Sequence, residues 1–269
     1  MINTKTYQSS EVDTPTSSLL KPMHLWQSIL LTMAPAMLLY VFYYFMMPGL
    51  VETNGYPFLV VYLIAWGGGE MLIFLASLVV YKMEGNPSTW KAFTSRYRLH
   101  KMHRKDWAWF ASLFIFSTLT YFGLTFTAEW LGSMPGFAPP DFFPAELTPG
   151  GAGKVIPGEF MGFPLNGMWW VLLVYFLGWF FNIFGEEFWF RGYMLPRQEL
   201  THERYAWIVH GILFTLFHIF WKWNLLVLLP GSLFMAYVVQ RRQNTWISIL
   251  WHGIINFTPM LVLLQAIME

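Results

Sequence analysis

The sequence predicts an all-α fold, a polytopic transmembrane helical bundle of about seven spans with its N-terminus in the cytoplasm. Three observations predict it. Apolar residues make up 56% of the 269 and charged residues only 12%, with a mean hydropathy of +0.44; a soluble domain carries about 25% charged residues. The charges gather into a few segments and leave long uncharged blocks between them. The basic residues fall almost entirely on one side of those blocks. A net charge of +1 offers nothing to a polyanion, so no nucleic-acid partner is expected. The absence of cysteine rules out a disulfide framework, a thiol nucleophile, thiolate metal sites and lipidation through cysteine.

Residues 1–22 are polar and rich in Ser and Thr. They lack the charged start, short apolar core and cleavage site of a signal peptide, and read as a flexible tail. Seven blocks then approach the roughly 20 apolar residues that a spanning helix needs. They lie at roughly 26–48, 57–81, 107–127, 168–190, 206–221, 225–240 and 246–267. The fifth and sixth are short, with Lys222 and Asn224 at the turn between them, and an eighth span or a re-entrant piece stays open. With the N-terminus inside, all of the 16 Lys and Arg except Lys154 and Lys222 face the cytoplasm, which is the bias of the positive-inside rule. Seven spans then put the C-terminus outside.

Two loops stand apart. The 82–106 loop is basic and carries Trp90, Phe93, Tyr97 and Trp107. It reads as an orientation signal with an interfacial helix, or as a site for lipid or a substrate tail. The 128–167 loop is rich in Pro and Gly, sets four acidic residues against one Lys, and reads as an irregular external cap. The chain divides into the tail, N-terminal spans over 23–160 and a helical core over 165–269. Membrane lipid surrounds it; oligomeric state is not legible.

An ionisable side chain within a span costs roughly 2.5–3.5 kcal/mol on insertion scales, so each one is a functional candidate. They are Glu70, Glu186, Glu187, Arg191, His210, His218 and His252, with Asn182 and Asn256 as uncharged partners. All but Glu70 lie in the C-terminal part. In the run Gly185–Gly192, Glu187 and Arg191 are i and i+4 and can pair. Glu186 points elsewhere and has no partner in the segment. The two carboxylates are therefore unequal: one neutralised, one free and partly desolvated, as suits a general base or acid. A helix end emerging into water with an ordinary ion pair reads equally well from this cluster alone.

Phe214 and His218 are one turn apart, with His210 two turns before His218. His252 and Asn256 are i and i+4, on one face, and both can donate hydrogen bonds, as an oxyanion site requires. A helix–helix hydrogen-bond pair is the plainer reading of these two. Together, a free carboxylate, one or two histidines and a paired donor set from three spans form a hydrolase constellation. No Gly-x-Ser-x-Gly elbow and no His-Glu-x-x-His zinc motif is present. Attack by water activated by a glutamate is the simplest chemistry left.

The ordered motifs Glu-Glu-x-x-x-Arg (Glu186, Glu187, Arg191), Phe-x-x-x-His (Phe214, His218) and His-x-x-x-Asn (His252, Asn256) resemble the CAAX prenyl endopeptidase-like family, also called CPBP intramembrane proteases. The resemblance spans about residues 165–260. It implies an all-helical membrane protease whose cavity opens toward the cytoplasm and membrane. It implies that Glu186 activates water with help from His218, that His252 and Asn256 stabilise the oxyanion, and that Glu187 and Arg191 hold the site together. It implies a mechanism without metal or other cofactor, zinc being the less favoured alternative, and a peptide or membrane-protein substrate. The compact chain looks like bacterial inner-membrane members linked to peptide maturation, immunity or regulatory proteolysis.

Glu70 follows Gly67, Gly68 and Gly69, which let another backbone approach. It reads as a packing residue with an internal hydrogen bond, or as a substrate gate; with Phe214 and His210 it completes the candidates for contact with substrate. Two other function classes remain. Intramembrane Glu and His also build proton relays in transporters, although the two halves show no repeat. A non-catalytic scaffold or immunity protein of the same fold would have no need of all four of Glu186, His218, His252 and Asn256.

Overall fold

The computed structural model describes residues 20–151 and 156–269. Lys154 and most of the N-terminal tail lie outside the described residues. Each of the seven apolar blocks is helical. Helix α1 (Leu25–Val41) continues through wide turns to Thr53, followed by α2 (Phe58–Met83), the short α3 (Trp90–Arg96) and α4 (Arg104–Gly132). Helix α5 (Trp169–Glu186) passes into a wide-turned segment, Glu187–Met194, and then α6 (Leu195–His202). Helices α7 (Ala206–Phe217), α8 (Leu225–Arg242), α9 (Trp246–Ile255) and α10 (Thr258–Met268) complete the chain. Five continuous helical stretches are long and apolar enough to cross a membrane; one of them, Trp169–Arg242, contains three of the predicted blocks joined by tight turns.

Three boundaries differ from the sequence expectation, each for a local reason. The last block is broken between α9 and α10, because Pro259 has no N–H to give Ile255 and its ring crowds that carbonyl. The first block runs on past Pro48, whose missing donor is accommodated by i→i+5 turns on either side of it. The predicted tail, residues 1–22, is docked at its end: the Lys21 carbonyl accepts from Arg197 Nε at 3.1 Å, and Met23 just beyond is buried with its N–H donating to the Arg197 carbonyl at 3.0 Å.

Helix α2 packs along α5, and α8 lies between α4 and α7. The α2–α5 seam is built on glycine. A Cβ on Gly67 would sit 3.6 Å from the Gly178 Cα, and one on Gly185 would sit 2.8 Å from the Glu70 carbonyl oxygen. Without side chains at these positions the two backbones touch, as small residues allow in membrane helices.

The 82–106 loop straps the end of the bundle. Arg96 clamps Glu84 with two bonds of 2.7 Å and donates to the Gly192 carbonyl at 2.6 Å. Arg98 forks onto Glu199 at 2.8 and 2.7 Å. Tyr97 stacks on Phe188 at 4.9 Å and donates to the Ser77 carbonyl at 2.6 Å. The planar guanidinium suits such bidentate pairing. At the other end, the connection from α4 to α5 carries a two-residue hairpin, β1 (Glu159–Phe160) with β2 (Phe163–Pro164). It seats Phe143 among Tyr43, Phe58 and Trp221, at ring distances of 6.3, 5.6 and 5.6 Å.

Candidate active site

The site forms where α5, its wide-turned extension and α9 meet, with α2 behind. An i→i+5 turn inside a long helix shifts the side chains that follow it, and such turns recur at functional positions. Here the segment opens at Glu187 and contains Arg191.

Glu187 and Arg191 are both fully buried and pair at 3.2 Å, as their spacing predicts. The guanidinium lies 3.6 Å above the Phe214 ring, a cation–π contact in a desolvated setting. Phe214, a sequence candidate for substrate contact, is thus the shelf under Arg191. The same Glu187 Oε1 faces His252 Nδ1 at 3.1 Å. A carboxylate only accepts, so Nδ1 carries the proton and donates.

At the other edge of the ring, His252 Nε2 stands 3.1 Å from Asn256 Nδ2. With Nδ1 protonated, the neutral ring accepts the amide proton there. Asn256 Nδ2 also donates to Asn182 Oδ1 at 2.8 Å, and Asn182 Nδ2 donates to Glu186 Oε1 at 2.6 Å. One continuous chain therefore runs Arg191–Glu187–His252–Asn256–Asn182–Glu186. Asn182 is the link that sequence spacing did not single out as such. It lies one turn before Glu186, so the partner that the 185–192 run lacks sits just outside it.

Glu186 is 2% exposed, and its Oε2 has no hydrogen-bond partner among the described residues. The two carboxylates differ as expected: Glu187 pairs with a cation, and Glu186 accepts from an amide. His218 sits where α7 ends, its Nδ1 held by the Phe214 carbonyl at 2.9 Å, close enough to Glu186 and His252 for their charges to interact.

His210 is not part of this chain. It pairs with Gln198 of α6 at 2.7 Å and packs edge-on against Phe190. Glu70 stands closer than the sequence suggested. It is 1% exposed, and its carboxyl is close enough to Asn182 and Glu186 to interact with both. An N-terminal span therefore reaches the cluster, where sequence reading gave the chemistry to the C-terminal half. The available signal was Glu70 itself, the one acidic residue within the first three predicted spans.

The residues do not fit a metal-ligand set. His252 spends both ring nitrogens on Glu187 and Asn256, and no three His, Asp or Glu side chains converge as ligands among the described residues. Outside the polar cluster, an apolar groove of about 260 Å³ opens between α1 and α2, lined by Leu31, Pro35, Leu39, Gly69, Ile73 and Trp189. It is adjacent in sequence to the site through Gly69.

Residues 168–258 match the family model described as Type II CAAX prenyl endopeptidase Rce1-like. No curated protein and no solved structure gives a significant match. The matched segment contains every member of the polar chain from Asn182 to Asn256, and the family is one of proteases. The chain is a multi-pass membrane protein, and its segment 168–258 is similar to the Rce1-like type II CAAX prenyl endopeptidases.

Proposed function

We propose that this chain is an intramembrane endopeptidase in which Glu186 activates the attacking water. The observation that carries the reading is the hydrogen-bonded chain from Arg191 to Glu186, which leaves one carboxylate oxygen free in the same cluster as the Asn256 amide, a donor held by His252 and Asn182. Water gives a proton to Glu186 as its oxygen bonds to the scissile carbonyl carbon, and the carbonyl oxygen becomes an oxyanion. Collapse of that intermediate breaks the C–N bond, and the proton passes from Glu186 to the departing amine. His218, beside Glu186, orients the water.

At rest His252 and Asn256 satisfy one another. A substrate oxygen takes the place of that mutual bond, and Asn256 Nδ2 turns to it. His252, its Nδ1–H fixed on the Glu187 carboxylate, orients the Asn256 amide from the other edge of its ring. Glu187 in turn is fixed by Arg191. No step is routed through a metal. The substrate class is a peptide or membrane protein with an apolar stretch, which the groove between α1 and α2 suits. A bacterial inner-membrane setting and a role in peptide maturation, immunity or regulatory proteolysis follow the family resemblance.

The test is complementation. In a strain lacking this gene and showing a phenotype, wild type is expected to rescue and Glu186→Gln at matched levels is expected to fail. Full rescue by Glu186→Gln would assign a scaffold role. A rescue whose pH dependence shifts with the substitution would point to a transporter.

A further inference from the structure

Glu70 is the buried carboxyl that the mechanism above leaves unused. It stands inside α2, where an ionisable side chain is costly to keep. From α5 it is faced by Glu186 and Asn182. Tyr43 on the continuation of α1 and Tyr62 on its own helix lie within electrostatic range of it. Among the described residues no lysine, arginine or histidine forms a salt bridge with it. Its approach to Glu186 is set by backbone contact, since Gly185 rests against the Glu70 carbonyl and a Cβ there would sit 2.8 Å from that oxygen. Glu70 Oε2 and Glu186 Oε2 are both buried and both without a hydrogen-bond partner among the described residues.

Ionised carboxyl groups only accept hydrogen bonds, and two ionised ones repel in a water-poor interior. They can share a hydrogen bond only when one of the pair carries a proton. We propose that Glu70 is a positioning residue of the hydrolytic site, a carboxylic acid that donates its hydrogen bond to the Glu186 carboxylate. This rests on the reading of Glu186 as the base. The two neighbouring carboxylates are then held by opposite means. Glu187 is fixed by a cation, which neutralises it. Glu186 is fixed by a neutral acid and an amide, which set its rotamer and leave its charge free to take a proton from water. When it does, Glu70 and Glu186 are both neutral acids, and the negative charge has moved to the substrate oxygen. Glu70 keeps its own proton throughout.

Infrared spectroscopy of the purified full-length protein in lipid nanodiscs reads this without any substrate. At neutral pH, the difference between wild type and Glu70→Gln is expected to contain the C=O band of a protonated carboxylic acid. Carboxylate bands alone in that difference would overturn the proposal. Cellular cleavage gives a second readout. Glu70→Gln replaces the acid O–H by an amide N–H and is expected to keep the wild-type-dependent peptide terminus within about threefold. Glu70→Leu, at an unchanged melting temperature, is expected to lose about tenfold or more. Equal activity of the Gln and Leu variants, both full or both lost, would also overturn it. If wild type itself yields no such terminus, the proteolytic reading fails instead, and the infrared result decides the proton on Glu70 by itself.

Discussion

Replacing Gly192 by alanine tests whether the 82–106 loop is a strap on the active segment. Gly192 directly follows Arg191, and a Cβ there would lie 2.1, 2.8 and 3.1 Å from three atoms of the Tyr97 ring. The ring has nowhere to go. Tyr97 is 1% exposed, stacks on Phe188 at 4.9 Å, meets Tyr81 at 5.7 Å and is tethered through its hydroxyl to Ser77. Either the strap lifts or the segment carrying Glu187 and Arg191 moves. Overpacking of this kind costs about 1–3 kcal/mol. For a chain of this size that is roughly 2–4 °C of melting temperature per kcal/mol. The assay is thermal unfolding in detergent followed by tryptophan fluorescence, with Gly68→Ala as control, since a Cβ at Gly68 meets nothing within 4 Å. The double variant Gly192→Ala/Tyr97→Ala is expected to be less destabilised than the sum of the two single variants, the coupling of residues in contact. Stability of Gly192→Ala equal to the Gly68→Ala control, or strict additivity, would refute the reasoning.

Arg191→Met strands the Glu187 carboxylate in a fully buried site and is expected to cost about 3–5 kcal/mol, while Glu187→Gln/Arg191→Met recovers most of it; chemical denaturation of both variants checks this. Asn256→Ala removes the proposed oxyanion donor and is expected to lower turnover about 10²–10³-fold. The same substitution should barely move the melting temperature, because interhelical hydrogen bonds in membranes average about 0.6 kcal/mol. Burial pushes the Tyr97 phenol up, so the unfolded chain releases that proton first as pH rises. Stability is then complete below about pH 10 and falls above it, and Tyr97→Phe is expected to flatten that alkaline loss in an unfolding series.

The positions of the helices were legible because burial in lipid demands long apolar runs and satisfied backbones. Their ends were less so: the break before Pro259 and the wide turns around Pro48 are single-residue effects inside blocks of uniform hydropathy. The pairs Glu187–Arg191 and His252–Asn256 followed from the i, i+4 spacing alone. What spacing could not supply is the joining of separate elements. Asn182 links Asn256 to Glu186 across α9 and α5, and Glu70 arrives from α2 because glycines at 67, 178 and 185 let two backbones touch. The 82–106 loop was legible as basic and aromatic. Which of its arginines face acidic partners depends on Glu84, a neighbour within the loop, and on Glu199, far along the chain. Phe214 and His210, read as open to substrate, are committed to Arg191 and Gln198, a distinction that depends on tertiary contact alone.

The central claim is that Glu186 performs proteolysis. Peptide termini from membranes and culture fluid, compared between strains expressing wild type and Glu186→Gln at matched levels, test it most directly. A new terminus present only with wild type is the predicted result, and it identifies the substrate at the same time. Identical termini in the two strains, under conditions where deletion of the gene still has a phenotype, would contradict it.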